Sequence, residues 1–279
     1  MKKLASLLGK TPAIPLLFRY NTSEIINSGD SFYDATGEYY SSLFADKKRD
    51  DISFYVSIAK DNGGPVLEAA CGDGRILIPV AAAGLEVTGN DISPGMLEIC
   101  RKRMQEVPEQ TRNNIQICRG DMKHLPFRSR FRTVFLPYNS FNHLLNNEEQ
   151  ISCLRGLYNA LEPGGMLVME VLPYHKHYDM GLMMRKRSYN PSEKTKIIMY
   201  SRLEQDKENS LHTVNWFTVI KKKKEKPRRM ITTFTRKDTP LETIRNMINE
   251  NGFTIENIFY DYDRNTERGD KRIIAAARD

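Results

Sequence analysis

From residue 65 onward, short apolar runs alternate with longer amphipathic stretches, and this alternation predicts the fold. Pro65-Val66-Leu67-Glu68-Ala69-Ala70 is a nearly continuous apolar run of the kind that forms a strand buried on both faces. Cys71-Gly72-Asp73-Gly74 interrupts it, and Arg75 to Ala83 then reads as a helix ending at Gly84, a residue suited to a C-cap. The cycle repeats with strand Leu85 to Asn90 and a helix from Pro94 to about Glu106, with Ser93 at its N-cap and Pro94 at its first position. Strands Ile115 to Arg119 and Thr133 to Pro137 follow, then helix Asn147 to Leu161, a Glu162-Pro163-Gly164-Gly165 turn and strand Met166 to Leu172. Strand and helix in this rhythm predict an α/β fold: a doubly wound, mostly parallel sheet covered on both faces.

The flanks differ. Residues 1–60 carry helical patches, Ser31 to Leu43 with Phe32, Tyr33, Tyr39 and Tyr40, and Asp50 to Lys60 with Ile52, Tyr55, Val56 and Ala59. Beyond Lys196, the runs Ile197 to Leu203, Thr213 to Lys221 and Met230 to Thr235 read as successive strands joined by polar turns, an antiparallel β insertion near the C-terminal end. An amphipathic helix over Pro240 to Asn251 and strands Thr254 to Tyr262 and Lys271 to Ala277 close the chain. The expected organisation is a helical N-terminal lid over 1–60, a ligand-binding core over 61–180, an antiparallel cap or dimer insertion over 181–239, and residues 240–279 completing the core.

In an open parallel sheet, ligands sit beyond the carboxyl ends of the strands where strand order reverses. Four stretches fall at such strand ends. Glu68 to Gly74 offers glycines where backbone must approach a ligand, and amides at a helix start that suit a carboxylate or phosphate. It is too short for the dinucleotide fingerprint, whose third glycine position is held by Leu77, and no Gly-Lys-Ser/Thr follows. Asp91 ends the second strand, 17 residues after Gly74, where a carboxylate can accept two ribose hydroxyls. Gly120-Asp121-Met122 follows the third strand, pairing an acceptor for an exocyclic amine with a thioether that packs on rings. After the fourth comes Leu136-Pro137-Tyr138-Asn139-Ser140-Phe141-Asn142-His143, a crowd of polar and aromatic groups. Each has a plainer reading: Asp91 starting a helix, Asp121 in a turn, His143 capping a helix or making a buried hydrogen bond. Their succession at four strand ends, in order, is what points to a ligand site.

Val66 to Gly74, Val87 to Leu97 and Gly120-Asp121-Met122 resemble the successive motifs of the class I S-adenosylmethionine-dependent methyltransferases. The resemblance covers about residues 30–172, and Gly252 to Ala277 resembles the closing strands of that fold. It implies S-adenosylmethionine as cofactor, with Glu68, Gly72 and Gly74 around its methionine part, Asp91 on the ribose, Ile92 against the adenine, and Asp121 with Met122 at the adenine edge. Ala70, Met96 and Leu136 complete the implied pocket, and Tyr33 and Tyr40 resemble aromatic residues that close over the cofactor. The chain departs from the pattern at Ser41, where members often carry Asp, and at Phe131-Arg132-Thr133-Val134, which lacks an acidic residue often present before the fourth strand.

Methyl transfer from a sulfonium is an in-line displacement, so alignment is the main task and a base is needed only for a poorly acidic acceptor proton. The catalytic candidates are Tyr138, Asn139 and His143, and the acceptor-binding ones Asn142, Glu170, Tyr174 and His175. His175 and His177, spaced i, i+2 without further ligands, suggest no metal. The expectation is a small-molecule methyltransferase with N favoured over O, because Tyr138 to Leu144 resembles the matching segment of amine-methylating members. Two alternatives stand: a nucleic-acid methyltransferase, although Leu136-Pro137-Tyr138-Asn139 matches the Asn/Asp-Pro-Pro-Tyr/Phe run of adenine-N6 enzymes poorly, and a non-catalytic cofactor-binding regulator.

Composition narrows the class without changing it. With 40% hydrophobic and 28% charged residues, the 279-residue chain is of ordinary globular type. Its longest apolar run, Ile76 to Leu85, is broken by Pro79 and Gly84, so no membrane partner is expected. The Met1-Lys2-Lys3-Leu4 start is interrupted at Lys10 and followed by Pro12 and Pro15, unlike a secretory leader. Four scattered cysteines indicate neither zinc nor disulfides, which makes a reducing cytoplasm the expectation, with a monomer or homodimer as the form. The net +7 is lopsided: residues 180–279 hold 22 Lys and Arg against 14 Asp and Glu. Its densest point, Lys221 to Arg229, reads as a solvated hairpin tip or as a footprint for an anionic partner, and Trp216 and Phe217 nearby read as core.

Overall fold

The computed structural model describes residues 24–26, 51–172, 183–190 and 195–279, which form two compact units. The expected helix over Ser31 to Leu43 lies outside the described residues.

The first unit, built from residues 51–172 and 236–279, is organised by side-chain parity. Its strands β2 (Val66–Ala69), β3 (Val87–Asp91), β4 (Ile115–Arg119), β5 (Phe131–Leu136), β6 (Leu161–Glu170), β11 (Phe253–Phe259) and β12 (Ile273–Arg278) form one seven-stranded sheet in the order β11-β12-β6-β5-β2-β3-β4. Pairs β6-β5, β5-β2, β2-β3 and β3-β4 are parallel, while β12 runs antiparallel to both neighbours. Successive residues of a strand face opposite sides. Leu67, Ala69, Val134, Leu136, Leu167 and Met169 therefore pack into one hydrophobic core, and Val66, Phe135 and Val168 into another. Two buried faces explain why these strands are continuous apolar runs.

Helix α1 (Asp51–Asn62) buries Phe54, Tyr55, Ile58 and Ala59, with the Tyr55 ring 5.0 Å edge-on from Phe135. It joins the second core with α2 (Leu77–Ala82) and α3 (Pro94–Gln105). This places α1 in the core unit, a different division from a helical lid ending at residue 60. The short α4 (Glu109–Asn113), which sequence reading missed, buries none of its residues. Helix α5 (Asn147–Ala160) covers the first core. Asn146 caps it by accepting from Glu149 N–H at 2.9 Å, and the Glu149 carboxylate accepts from Leu145 N–H at 2.9 Å. Beside α5 lies α6 (Leu241–Glu250), whose Ile244, Met247 and Ile248 form its buried stripe.

Two boundaries differ from expectation for local reasons. Helix α2 begins at Leu77 rather than Arg75, because Gly74 at φ +76° is left-handed and the helical ladder opens with Ile78 N–H on Gly74 C=O. Glu162 to Gly165 is an irregular start of β6 rather than a turn, with a register shift on β5 and Gly164 at φ +70°.

The second unit holds the expected separate sheet, ordered β1-β10-β9-β8-β7. Strands β7 (Met183–Asn190), β8 (Thr195–Asp206) and β9 (Leu211–Lys222) are antiparallel, and β1 (Glu24–Ile26) pairs parallel with β10 (Arg228–Lys237). Phe217 is buried, and Trp216, half-buried, meets Phe234 edge-on at 5.3 Å. Lys223 and Lys224 sit at an exposed hairpin tip. No described helix is long and apolar enough to cross a membrane.

Candidate active site

Strand order reverses between β2 and β5, so the loops leaving those strands diverge and leave a crevice at their carboxyl ends. The loop after β2 lines one wall. Ala70, Gly72 and Gly74 have φ of +56°, +55° and +76°, so the backbone turns left-handed at alternate residues. For Ala70 this costs roughly 1–2 kcal/mol, a strain that surrounding structure must over-determine. The constraint comes from Asn90 and Asp91. Cys71 N–H donates to Asn90 C=O at 3.0 Å, Gly72 N–H to Asp91 Oδ2 at 2.8 Å, and Ser93 N–H to Asp91 Oδ1 at 2.9 Å. A Cβ on Gly74 would lie 2.6 Å from Cys100 Sγ, and one on Gly72 would lie 3.2 Å from Met96 Cε. Bare α-carbons are what let α3 approach this loop.

Glu68 lies beneath it, almost fully buried, with Oε2 lacking any hydrogen-bond partner. Burial pushes its carboxyl well above the usual range, and the Arg75 guanidinium opposes the shift only in part. Arg75 pairs with buried Asp51 of α1 at 2.8 Å and sits 5.7 Å from the centroid of the Tyr138 ring. At the end of β4, Asp121 Oδ1 accepts Lys123 N–H at 2.9 Å, capping a short 3-10 turn over Met122–His124. Asn90, with its amide turned to face Gly120, accepts its N–H at 3.3 Å and donates to its C=O at 3.2 Å.

The segment after β5 forms the opposite wall. Tyr138 and Asn139 are half-buried and both left-handed, at φ +58°. Tyr138 N–H donates to Glu170 Oε2 at 3.1 Å. Partly buried His143 is held down to about 4, first by burial and then by the Arg236 charge.

The comparisons agree with this topology. A family model described as a methyltransferase domain matches residues 66–165. YqeM of Bacillus subtilis, a protein named only provisionally as a methyltransferase, is 23% identical over 82% of this chain and 90% of its own. A dTDP-3-amino-3,4,6-trideoxy-alpha-D-glucopyranose N,N-dimethyltransferase of Streptomyces venezuelae is 28% identical over 50% of this chain, which spans about half (54%) of that relative. Among solved structures, the CcbJ methyltransferase of Streptomyces caelestis superposes with a TM-score of 0.73 at 21% identity, covering 90% of this chain and 100% of that one. Residues 66–165 thus match a methyltransferase domain, and the fold around them is that of the class I S-adenosylmethionine-dependent methyltransferases.

The residues present fit the cofactor of such a methyltransferase. The orphaned Glu68 oxygen suits a cationic group. The structure brings Glu68, Ala70, Gly72, Gly74, Asp91, Ile92 and Met96 to one side of the methyltransferase crevice, and Tyr138 and Asn139 to the end of β5. Leu136 and Met96 are buried, Leu136 as part of the first core, so Leu136 can offer only backbone to a ligand. Met122 packs partly against that core.

Two acceptor candidates have other employment. Asn142 is fully buried, donating to Lys237 C=O at 2.8 Å and accepting from Leu172 N–H at 2.9 Å, so its amide braces backbone. Glu170, 1% exposed, is engaged by Tyr138 N–H, the Tyr262 hydroxyl and Lys271. Tyr33, Tyr40, Tyr174, His175 and His177 lie outside the described residues. Sequence reading missed Asn90, Arg75 with Asp51, and the pair Tyr262 and Lys271. Arg75 and Asn90 adjoin motif residues and were findable there, whereas Tyr262 and Lys271 carry no local signal.

Proposed function

We propose that this methyltransferase transfers a methyl group from S-adenosylmethionine to a nitrogen of a small-molecule acceptor. The chemistry the donor supplies is an electrophilic methyl on a positively charged sulfur. Glu68, Ala70, Gly72, Gly74 and Met96 form the wall for its methionine part, Asp91 and Ile92 take the ribose and adenine, and Asp121 with Met122 takes the adenine edge. Asp91 holds two amides already, but an ionised carboxylate has about four lone-pair sites and can still accept a hydroxyl.

The observation that favours nitrogen is the absence of an available base among the described groups after β5 and β6. His143, held down to about 4, is too weak to retain a proton at neutral pH, Glu170 is saturated by donors, and Asn142 is spent on backbone. A hydroxyl attacks a sulfonium poorly without a base, whereas a neutral amine brings its own lone pair. Tyr138 and Asn139 are left to orient the acceptor. The amino-sugar N,N-dimethyltransferase among the relatives supports the same reading.

The test is calorimetric titration with S-adenosylmethionine, followed by transfer of labelled methyl to small amines, amino sugars included, each paired with its hydroxyl counterpart. Methylation of amines alone is expected. Methylation of hydroxyl partners only, or of RNA in their place, would refute it.

A further inference from the structure

The Glu170 carboxylate lies at the end of β6 with almost no exposure, yet four contacts converge on it. Tyr262 Oη lies 3.1 Å from Oε1 and 3.0 Å from Oε2, Lys271 Nζ lies 3.5 Å from Oε1, and Tyr138 N–H donates to Oε2 at 3.1 Å. Three of the four come from one connection, residues 260–272, which joins β11 to β12. That connection is itself pinned. Lys271 N–H donates to Tyr260 C=O at 3.0 Å, and Arg264 pairs with Asp61 at 2.6 Å and donates to Ser57 Oγ at 2.8 Å, both on α1. A Cβ on Gly269 would meet Tyr260 C=O, so the two ends close only around a glycine. Lys271 Nζ also stands 5.1 Å from the Tyr262 ring centroid, which locks the two donors to each other.

The fourth contact leads to the crevice. Tyr138 and Asn139 are two consecutive left-handed residues, and a backbone conformation of this kind persists only where neighbours fix it. Ser140 Oγ on Pro137 C=O at 2.8 Å fixes the turn from within. From outside, the described side-chain fixation of its amide is Glu170, and Glu170 stays aimed because Tyr262 and Lys271 hold it. The geometry points to Glu170 as a positioning residue that holds the Tyr138-Asn139 turn in its acceptor-facing conformation, with Tyr262 and Lys271 as the clamp that aims it. Glu170 thus acts through the Tyr138 amide and does not touch the acceptor. This rests on the placement of Tyr138 and Asn139 at the acceptor in the proposed function.

The test pairs variants of the clamp, which do not contact Tyr138, with variants of Glu170 itself, which does. Tyr262→Phe removes one hydroxyl and keeps the ring; Lys271→Met removes the ammonium; Glu170→Ala removes the carboxylate, and Glu170→Gln restores one acceptor. NMR-detected hydrogen exchange is read at the Tyr138 amide and, as internal controls, at Leu136 and Met169. Exchange at Tyr138 should rise about tenfold in Tyr262→Phe and further in Glu170→Ala, as expected for loss of a charge-assisted hydrogen bond, with partial rescue in Glu170→Gln and the controls unmoved. In the amine assay, Tyr262→Phe should lower kcat about tenfold while the KM for S-adenosylmethionine stays within about twofold. Unchanged Tyr138 exchange in Glu170→Ala, an equal rise at the control amides, or a freed Tyr138 amide with unchanged kcat would each overturn the assignment. If no amine is methylated by the unaltered protein, the proposed function fails on its own, and the Tyr138 amide still decides whether the clamp exists.

Discussion

Asp91→Asn looks conservative and should not be. Asp91 accepts two backbone amides from opposite directions, Gly72 N–H at 2.8 Å on one oxygen and Ser93 N–H at 2.9 Å on the other. Asparagine has one acceptor oxygen, so whichever way its amide turns, an NH2 faces an N–H. One charge-assisted bond, worth roughly 1.5–3 kcal/mol, is weakened, and the other N–H is left opposed, beside a side chain only 9% exposed, at a cost of about 1–3 kcal/mol. A destabilisation of about 3 kcal/mol follows, or a fall in Tm of about 6–12 °C for a chain of this size. Donor binding should weaken separately, by about 10- to 100-fold, because the ribose loses a carboxylate and the Gly72 loop loses its brace. Scanning calorimetry gives the first quantity, and titration of the folded variant with S-adenosylmethionine the second. An Asp91→Asn protein with unchanged Tm would refute the bracing argument. Unchanged donor affinity per folded molecule would refute the ribose assignment and leave Asp91 a brace alone.

Other substitutions separate steric from conformational demands. Gly74→Ala combines φ +76° with a Cβ 2.6 Å from buried Cys100 Sγ and should cost about 3 kcal/mol, whereas Gly84→Ala, at φ +92° with nothing within 4 Å, should cost only about 1–2 kcal/mol; denaturant midpoints compare them. Replacing Lys221 to Lys224 by Gln should leave donor binding unchanged and acceptor turnover within a few-fold, with any RNA binding weak and lost near 0.15 M salt, where charges beyond about 8 Å are screened; tight, salt-resistant RNA binding abolished by the change would favour a nucleic-acid acceptor. His143, at about 4 when folded against about 6.5 unfolded, makes the unfolded chain take up a proton first as pH falls. Its contribution is therefore complete above pH ~6.5 and lost progressively toward pH ~4, up to about 3 kcal/mol, and His143→Asn should flatten that slope in unfolding titrations between pH 7 and 4.5.

What could be read in the sequence was whatever repeats locally. The parity that sends Leu67 to one core and Val66 to the other is a two-residue period, and Ile115 to Arg119 is bounded at both ends as expected. The Ser93-Pro94 start of α3 is read from two adjacent residues, and the Ser93 side chain does accept Met96 N–H at 3.1 Å. Strand β7 was not legible because Arg185-Lys186-Arg187 breaks the alternation in its middle. Asn142 and Glu170 show the deeper limit. An amide or carboxylate at a strand end has the same chemistry whether it faces a ligand or a backbone. The decision lies with partners such as Lys237 and Tyr262, 95 and 92 residues away along the chain. Lys271 and Tyr262 reach Glu170 because β12 pairs antiparallel with β6, Ile273 opposite Glu170, a register no local pattern reveals.

The same occupancy decides how the reaction should respond to pH. A group that removes a proton must be basic at the working pH and within reach, and the described candidates fail on different grounds. His143 is too weak a base at about 4 because protonating it would bury a charge beside Arg236. Glu170 already serves Tyr138, Tyr262 and Lys271, and the buried thiols of Cys71 and Cys153 are pushed up, by burial first, so they stay protonated. An amine acceptor must then enter as the free base and lose its proton to water after transfer. The kcat/KM for the acceptor should therefore rise about tenfold per pH unit until the amine's own pKa and level off there, with no inflection near 6.5. Two amine acceptors of different basicity should shift that plateau in step with their own pKa values. An inflection between pH 6 and 7 that ignores the acceptor and vanishes in His143→Asn would show that the imidazole titrates in the loaded enzyme and acts as the base.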